Sequence, residues 1–452
     1  MTGTEAPPRG GIFARAMRGM ALTATSQIVQ NLLRLASNLI LTRLLYPEAF
    51  GIMALVAVVL TGLVMFSDVG LGAAIAQSPR GDDPDFLDTA WTVQIVRGFL
   101  LFLAACALGW PMARFYGVPE LAQILPVAGS SLFLSGFTPT RAETLARHLR
   151  LGRLVAIDLS VQVAGILVMV GVAMATGSIW ALVVAMPGQG LARVVMVHWL
   201  VPGAPNRLRW DRSAAAELIG FGKWIFFSTA CSFLLLQGDK AVLSLYLSLE
   251  ALGRYNIAYF LASAPVMLGL ALVQRVMIPL YRTAPPGASA ANFARMRRLR
   301  GGLTAGLLAM LAVAALGGVW IVDLLYDDRY AQAGPILVLV ALVQMPLAVG
   351  MSYDQAALAA GDSRGYFLLT ALRAGLQLAG LYLGMESAGL TGGLLGQGLA
   401  ALAGHLAIVA LARRHRVWDG AHDAAAGVAG LAIALAALAL HGPALAGLSA
   451  GG

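Results

Sequence analysis

Stretches of roughly 20 apolar residues, the length that crosses a bilayer as a helix, recur along the whole chain. Apolar length and loop signals together predict about thirteen crossings. In the first half they run over 20–44, 49–71, 90–110, 120–142, 155–176 and 178–201. The second half gives 218–246, 255–281, 301–323, 333–358, 366–386 and 388–411, then a weaker segment over 424–441. The pattern is that of an all-α polytopic membrane protein. Prolines 126, 139, 187, 265 and 346 fall inside these segments, where they free backbone carbonyls and permit bends.

The segments are organised by a repeat. Glu48-Ala49-Phe50-Gly51 ends the stretch Leu41–Gly51 and returns as Glu250-Ala251-Leu252-Gly253, and each copy lies between two apolar segments near the start of a half. At the same offset Leu41 matches Leu243, Leu45 matches Leu247 and Thr42 stands opposite Ser244. Internal repetition of this kind predicts two tandem six-helix bundles. Six is even, so both copies enter the membrane in one orientation and are related by an axis along its normal. The expected organisation is a basic cytoplasmic tail over 1–19, an N-terminal bundle over 20–201 and a cytoplasmic linker over 202–217. A C-terminal bundle follows over 218–411, then a loop and an additional, weaker apolar helix over 412–452.

Charge orients the bundle. Arg147, Arg150 and Arg153 follow the fourth segment, and Arg207, Arg209 and Arg212 the sixth. Arg282, Arg295, Arg297, Arg298 and Arg300 follow the eighth, and Arg413, Arg414 and Arg416 the twelfth. The opposite loops hold only Arg43, Arg114, Arg254 and Arg329. This is the positive-inside pattern, with the N-terminus cytoplasmic, and it accounts for the net charge of +9 without a nucleic-acid partner. The stretch Gly81–Asp88 is acidic where cytoplasm is expected, but carboxylates count little in this rule. Apolar residues make up 59% of the 452 and charged ones 12%, so no soluble catalytic module is expected. Cys106 and Cys231 both lie in apolar segments, where neither a disulfide nor a metal site is expected.

Polar groups at membrane depth are expensive and mark function by default. In the first segment Thr23, Gln27, Gln30, Arg34 and Ser37 step by four, three, four and three residues, on one helical face that Ser26, Asn31 and Asn38 widen. Such a face lines a hydrated cavity or bonds neighbouring helices; an Arg so deep favours the cavity. Asp239 and Lys240 lie past the middle of the seventh segment, too close in sequence to pair on one face. Asp239 is expected to position a cation such as Arg34 or Arg97, or to exchange a coupling ion. Arg97 and Arg373 fit structural pairing and cavity lining equally well. Arg193, Lys223 and Arg275 are expected to snorkel from helix ends. Asp68, Asp323 and Asp354 are expected to be solvated at helix ends, with exchange of a proton or sodium ion as the functional alternative. The glycines at 389, 392, 393 and 396 point to close helix packing. No P-loop, HExxH or CxxC is present, and no intramembrane His–carboxylate pair is apparent among His148, His198, His405, His415, His422 and His441. No catalytic constellation or cofactor site is expected.

Two stretches carry a family resemblance. SQIVQNLLRLASNLILTRLLYPEAFGIMALVAVVLTGLVMFSDVGLGAAIAQ resembles the opening of oligosaccharide flippases. FGKWIFFSTACSFLLLQGDKAVLSLYLSLEALGRYNIAYFL resembles the start of their second half. The shared features are the E-x-x-G turns, Asp239 with a basic neighbour, and Gly253-x-Tyr255. These are the Wzx-like branch of the multidrug/oligosaccharidyl-lipid/polysaccharide (MOP) transporter superfamily, and the likeness spans residues 20–411. It implies a two-lobed bundle around a central cavity in the bacterial inner membrane, which opens alternately to each side and passes an undecaprenyl-pyrophosphate-linked sugar chain. Polysaccharide polymerase and export machinery are the implied partners. On that reading Arg34, Arg97 and Lys240 meet the phosphates, and Gln27, Gln30 and Asn31 the sugar hydroxyls. An ion-coupled drug or cation antiporter of the same superfamily would need mainly acidic cavity residues. A membrane enzyme acting on the same lipid carrier would need larger external loops.

Overall fold

A computed structural model describes residues 9–67, 70–148, 151–222, 225–273, 277, 280–281 and 285–450. Among them the structure is helical throughout, with no strand. The helices are α1 (Arg9–Leu44), α2 (Pro47–Phe66), α3 (Leu71–Gln77), α4 (Pro84–Tyr116), α5 (Leu121–Gly136), α6 (Arg141–Arg147), α7 (Leu151–Thr176) and α8 (Trp180–Leu200). They continue as α9 (Arg212–Gly222), α10 (Ile225–Leu243), α11 (Leu249–Leu272), α12 (Ala290–Leu325), α13 (Ala333–Ala359), α14 (Ser363–Arg414) and α15 (Gly420–Ala450). Nine described helices are long and apolar enough to cross a membrane. The chain is a multi-pass membrane protein. Asp68, Arg150, Lys223, Arg275 and Arg282 lie outside the described residues.

Local signals set the boundaries. Pro84 opens α4 behind Asp83, whose carboxylate accepts from the Asp85 amide, and Gly117 closes it at φ 66°. Ser248 and Ser289 cap α11 and α12 through the amides of Ala251 and Asn292. The predicted segments 366–386 and 388–411 form one assigned helix, α14, interrupted at Ala388 and Gly389 (φ 55°). Its arms fold back on glycines: a Cβ at Gly384 would stand 2.1 Å from the Gly392 carbonyl oxygen, and one at Gly380 2.4 Å from that of Gly396. α15 is longer than the expected 424–441, because Asp419 accepts from the His422 amide and starts the helix early.

The chain forms two compact units. One holds the residues up to Leu45 together with Val59–Thr229; the other holds Tyr46–Val58 and everything from Ala230 onward. In the first, α4 packs on α5, α5 on α8, α7 on α8, and α1 on α7. In the second, α13 is the central element, with α11, α12, α14 and α15 around it.

The acidic stretch 81–88 finds its explanation in the first unit. Asp82 pairs with Arg147 (3.2 Å) and His148 (2.9 Å), and Asp83 with Arg80 (3.0 Å). Asp85 pairs with Arg209, and Asp88 accepts from the Asn206 side chain and the Arg207 amide at 3.2 and 3.0 Å. The stretches around 81–88, 141–148 and 202–213 thus gather at one end of the unit, opposite charges together. The Asp211 carboxyl is held at about 2 by the Ser213 hydroxyl and the Ala214 and Ser213 amides, so Asp211 keeps its charge beside Arg80 well below neutral pH.

The repeated E-x-x-G turns meet inside the second unit. A Cβ at Gly51 would stand 2.0 Å from the Leu249 carbonyl oxygen, and one at Gly253 1.9 Å from that of Pro47. Pro47 and Leu249 are themselves equivalent positions in the two copies, so the contact is reciprocal. Phe50 against Tyr330, with ring centroids 6.2 Å apart, and Arg329 over Tyr46 complete the junction.

Candidate functional site

The polar face of α1 is partly consumed by its own helix. Gln30 Nε2 donates to Ser26 Oγ (3.1 Å), Ser37 Oγ to the Arg34 carbonyl (3.0 Å), and Gln27 Nε2 to Asn31 Oδ1 (3.4 Å). What remains opens into a cavity of about 420 Å³ in the first unit, lined by Gln30, Arg34, Ser37, Asp158, Gln162, Gln189 and Arg193. Gln162 Nε2 donates to the Gln30 carbonyl at 2.9 Å, tying α7 to α1. Arg193 pairs with Asp158 at 3.1 Å instead of snorkelling to a helix end. Arg34 is exposed and makes no ion pair among the described residues, leaving its five donors available. Gln27 and Asn31 do not line the cavity.

Arg97 is committed differently. Its Nε donates to Ser67 Oγ (3.1 Å) and its Nη2 to the Val64 carbonyl (2.9 Å), so it caps the C-terminal end of α2. It borders a cavity of about 270 Å³ shared with Gln94, Glu143 and Arg193.

The second unit holds a larger polar constellation. A cavity of about 290 Å³ is bordered by Asp239, Tyr255, Tyr259, Gln344, Asp354, Gln355, Tyr366, Arg373, Gln377 and Gln397. Asp239 is 2% exposed and accepts a short hydrogen bond from the Tyr255 hydroxyl, its neighbour within the unit. Lys240 is not among the residues bordering this cavity; its Nζ lies 5.0 Å from the centre of the Tyr259 ring. Asp354 is 8% exposed and pairs with Arg373 at 2.7 Å, a buried ion pair where helix-end solvation was expected. Asp323 does lie exposed near the end of α12. Asp239 Oδ1, Asp354 Oδ1 and Gln344 Nε2 are buried without a hydrogen-bond partner among the described residues. Three unpaired polar atoms around one cavity suit a polar occupant.

Pairing of histidine with carboxylate is also present, against expectation. His405 Nε2 is 3.2 Å from Asp423 Oδ2, and His422 Nδ1 3.0 Å from Asp423 Oδ1. Tyr353 and Trp418 donate to the same carboxylate at 2.8 and 2.9 Å. His148–Asp82 and His415–Asp362 form two further pairs. The sequence hides the His405–Asp423 pair because it closes only when α15 folds onto α14. The glutamines of the cavity carried a usable signal that spacing alone did not single out, namely amides at membrane depth.

The fold is a polytopic helical bundle with a polar interior, and solved membrane transporters share it. An inward-facing multidrug resistance MATE transporter of the MOP superfamily superposes with TM-score 0.65 at 14% identity, over 86% of this chain and 95% of its own. Lipid II flippase MurJ in an inward closed conformation superposes with TM-score 0.68 at 13% identity, over 92% and 91%. The chain belongs to the polysaccharide biosynthesis protein family, which matches residues 40–335. It is 23% identical to the succinoglycan biosynthesis transport protein ExoT of Rhizobium meliloti (strain 1021), over 67% of this chain and 61% of that one. Likeness to the teichuronic acid biosynthesis protein TuaB of Bacillus subtilis (strain 168) is 23% over 47% and 44%. The chain thus spans about half the length of the curated relatives it matches.

Proposed function

We propose that the protein is a flippase of the bacterial inner membrane. It carries a polyprenyl-pyrophosphate-linked oligosaccharide from the cytoplasmic to the periplasmic leaflet by alternating access, for cell-surface or exported polysaccharide. Arg34 is the observation that carries this reading: a guanidinium without an ion pair among the described residues, on a cavity whose other polar lining is three amides, a hydroxyl and the paired Asp158 and Arg193. A cation with amides beside it suits a phosphate followed by sugar hydroxyls. Arg97, bonded to the end of α2, and Lys240, seated over Tyr259, are the weaker phosphate contacts. A polymerase and an export machinery are the partners that would consume the product.

Arg34→Ala is expected to weaken binding of the lipid-linked oligosaccharide by about 10- to 100-fold, since a charged hydrogen bond contributes about 1.5–3 kcal/mol. Insertion and melting temperature should stay unchanged. Loss of the folded protein without rescue by Arg34→Lys would make Arg34 a structural residue instead.

The buried Asp239 and Asp354 favour a second reading, an ion-coupled antiporter for cationic drugs. Titration of the purified protein with a cationic dye separates the two. The flippase reading expects no saturable dye binding and retained binding of the lipid-linked sugar.

Orientation is tested by single cysteines labelled from outside intact cells. Positions 46, 250 and 328 should react and positions 209 and 297 should not. The reverse pattern would overturn the proposed N-terminus-in arrangement.

A further inference from the structure

His405 lies between two carboxylates. Its Nε2 faces Asp423, on α15, at 3.2 Å. Its Nδ1 is buried with no hydrogen-bond partner among the described residues and faces α13 at Gly350, where an added Cβ would stand only 3.2 Å away. Asp354 lies one helical turn further along that face of α13, and its Oδ1 is likewise buried and unpartnered. Gly404, the residue before His405, leaves room for the Arg373 side chain, which a Cβ there would meet at 3.2 Å. On the other side, Asp423 is bonded to Tyr353, His422 and Trp418. Tyr353 also reaches the Asp419 carbonyl at 3.3 Å. Asp419 pairs with Arg297, whose side chain is 53% exposed. Arg300 lies 4.0 Å over the Tyr353 ring, and Thr304 is 3.0 Å from His422 Nε2. Polar contacts therefore run from the Arg297–Asp419 pair, whose arginine is exposed, through Tyr353 and Asp423 towards the cavity of the second unit, with His405 as the titratable middle member.

We infer that His405 passes protons between Asp423 and the Asp354–Arg373 ion pair, and so sets whether Arg373 is free to hold an anion at the cavity. A proton reaching Nε2 from the Asp423 side makes the imidazolium. His405 Nδ1 and Asp354 Oδ1 are not hydrogen-bonded to each other, so the Nδ1 proton crosses to Asp354 Oδ1 through an intervening water, which returns a neutral ring in the other tautomer. Asp354 is then neutral, and the Arg373 guanidinium on the cavity wall has lost its counter-charge. It can then take a phosphate-type anion as a bidentate partner. Return of the proton re-forms the ion pair and expels the anion. Only the identity of that anion, the pyrophosphate of a lipid-linked sugar, rests on the flippase reading.

The test uses the full chain in nanodiscs, labelled with 15N-histidine, and needs no substrate. His405→Gln identifies the His405 resonances. The pH dependence of the His405 ring resonances is then followed. Asp354→Asn and Asp423→Asn should each lower its midpoint by about one unit or more, because each removes a carboxylate that favours the imidazolium. His441, bonded to the Leu316 carbonyl, should not move. Wild-type infrared difference spectra should show a buried carboxyl gaining a proton as pH falls, which keeps the test available if Asp354→Asn does not fold. In proteoliposomes, His405→Gln should flatten the pH dependence of transport. A His405 midpoint indifferent to Asp354, or no carboxyl change in the wild type, would overturn the inference. Absence of any transport would overturn the flippase reading while leaving the titration result intact.

Discussion

Replacing Arg373 with alanine is expected to destabilise the protein by about 3–5 kcal/mol, the cost of leaving a buried charge without its partner. One Asp354 oxygen is held by Arg373 at 2.7 Å and the other has no hydrogen-bond partner among the described residues. Arg373→Lys should recover part of the loss, since it restores the charge but not the planar fork. The double variant Asp354→Asn/Arg373→Gln removes both charges and should regain most of the stability. Melting curves of the four proteins in one detergent decide this. If Arg373→Ala melts like the wild type, water or another cation satisfies Asp354, and the pair does not hold the second unit together.

The second large effect is expected where the E-x-x-G turns cross. Gly51→Val and Gly253→Val should each abolish accumulation of folded protein. Their Cβ atoms would stand 2.0 and 1.9 Å from backbone carbonyl oxygens, which cannot rotate away as a flexible side chain would. Alanine at either site should cost about 1–3 kcal/mol or more by overpacking. Because the contact is reciprocal, the two alanine variants should lose similar amounts. Fluorescence-detected size exclusion of membrane extracts reads this directly. A Gly253→Ala protein as abundant and heat-stable as wild type would show that the turns separate easily.

That crossing is also legible in the sequence. The repeated Glu48–Gly51 and Glu250–Gly253 were visible as a pattern, and their glycines are where the two turns touch. The glycines from 389 to 396 announced close packing, and the α14 hairpin supplies it. Apolar length located most of the long helices, because a bilayer imposes a length that chemistry cannot disguise. The site was less legible. Stepping by three and four residues put Gln30 and Arg34 on one face, but could not tell which amides would bond within α1 and which would face the cavity. Asp354 and Arg373 lie on different helices, as do His405 and Asp423. Single-sequence periodicity reports one helix at a time and is blind to such pairs. The acidic stretch 81–88 was likewise unexplained until it met Arg147, Arg209 and Asn206.

The central claim concerns cargo, and transport tests it most directly. The purified protein is reconstituted into proteoliposomes carrying a fluorescent polyprenyl-pyrophosphate-linked oligosaccharide, and the fraction accessible to an external quencher is followed with time. The account expects wild-type protein to re-equilibrate the lipid between leaflets, and Arg34→Ala, equally folded and equally abundant, to leave it at the protein-free rate. Equal movement in wild-type and protein-free vesicles, with a cationic dye transported instead, would contradict it.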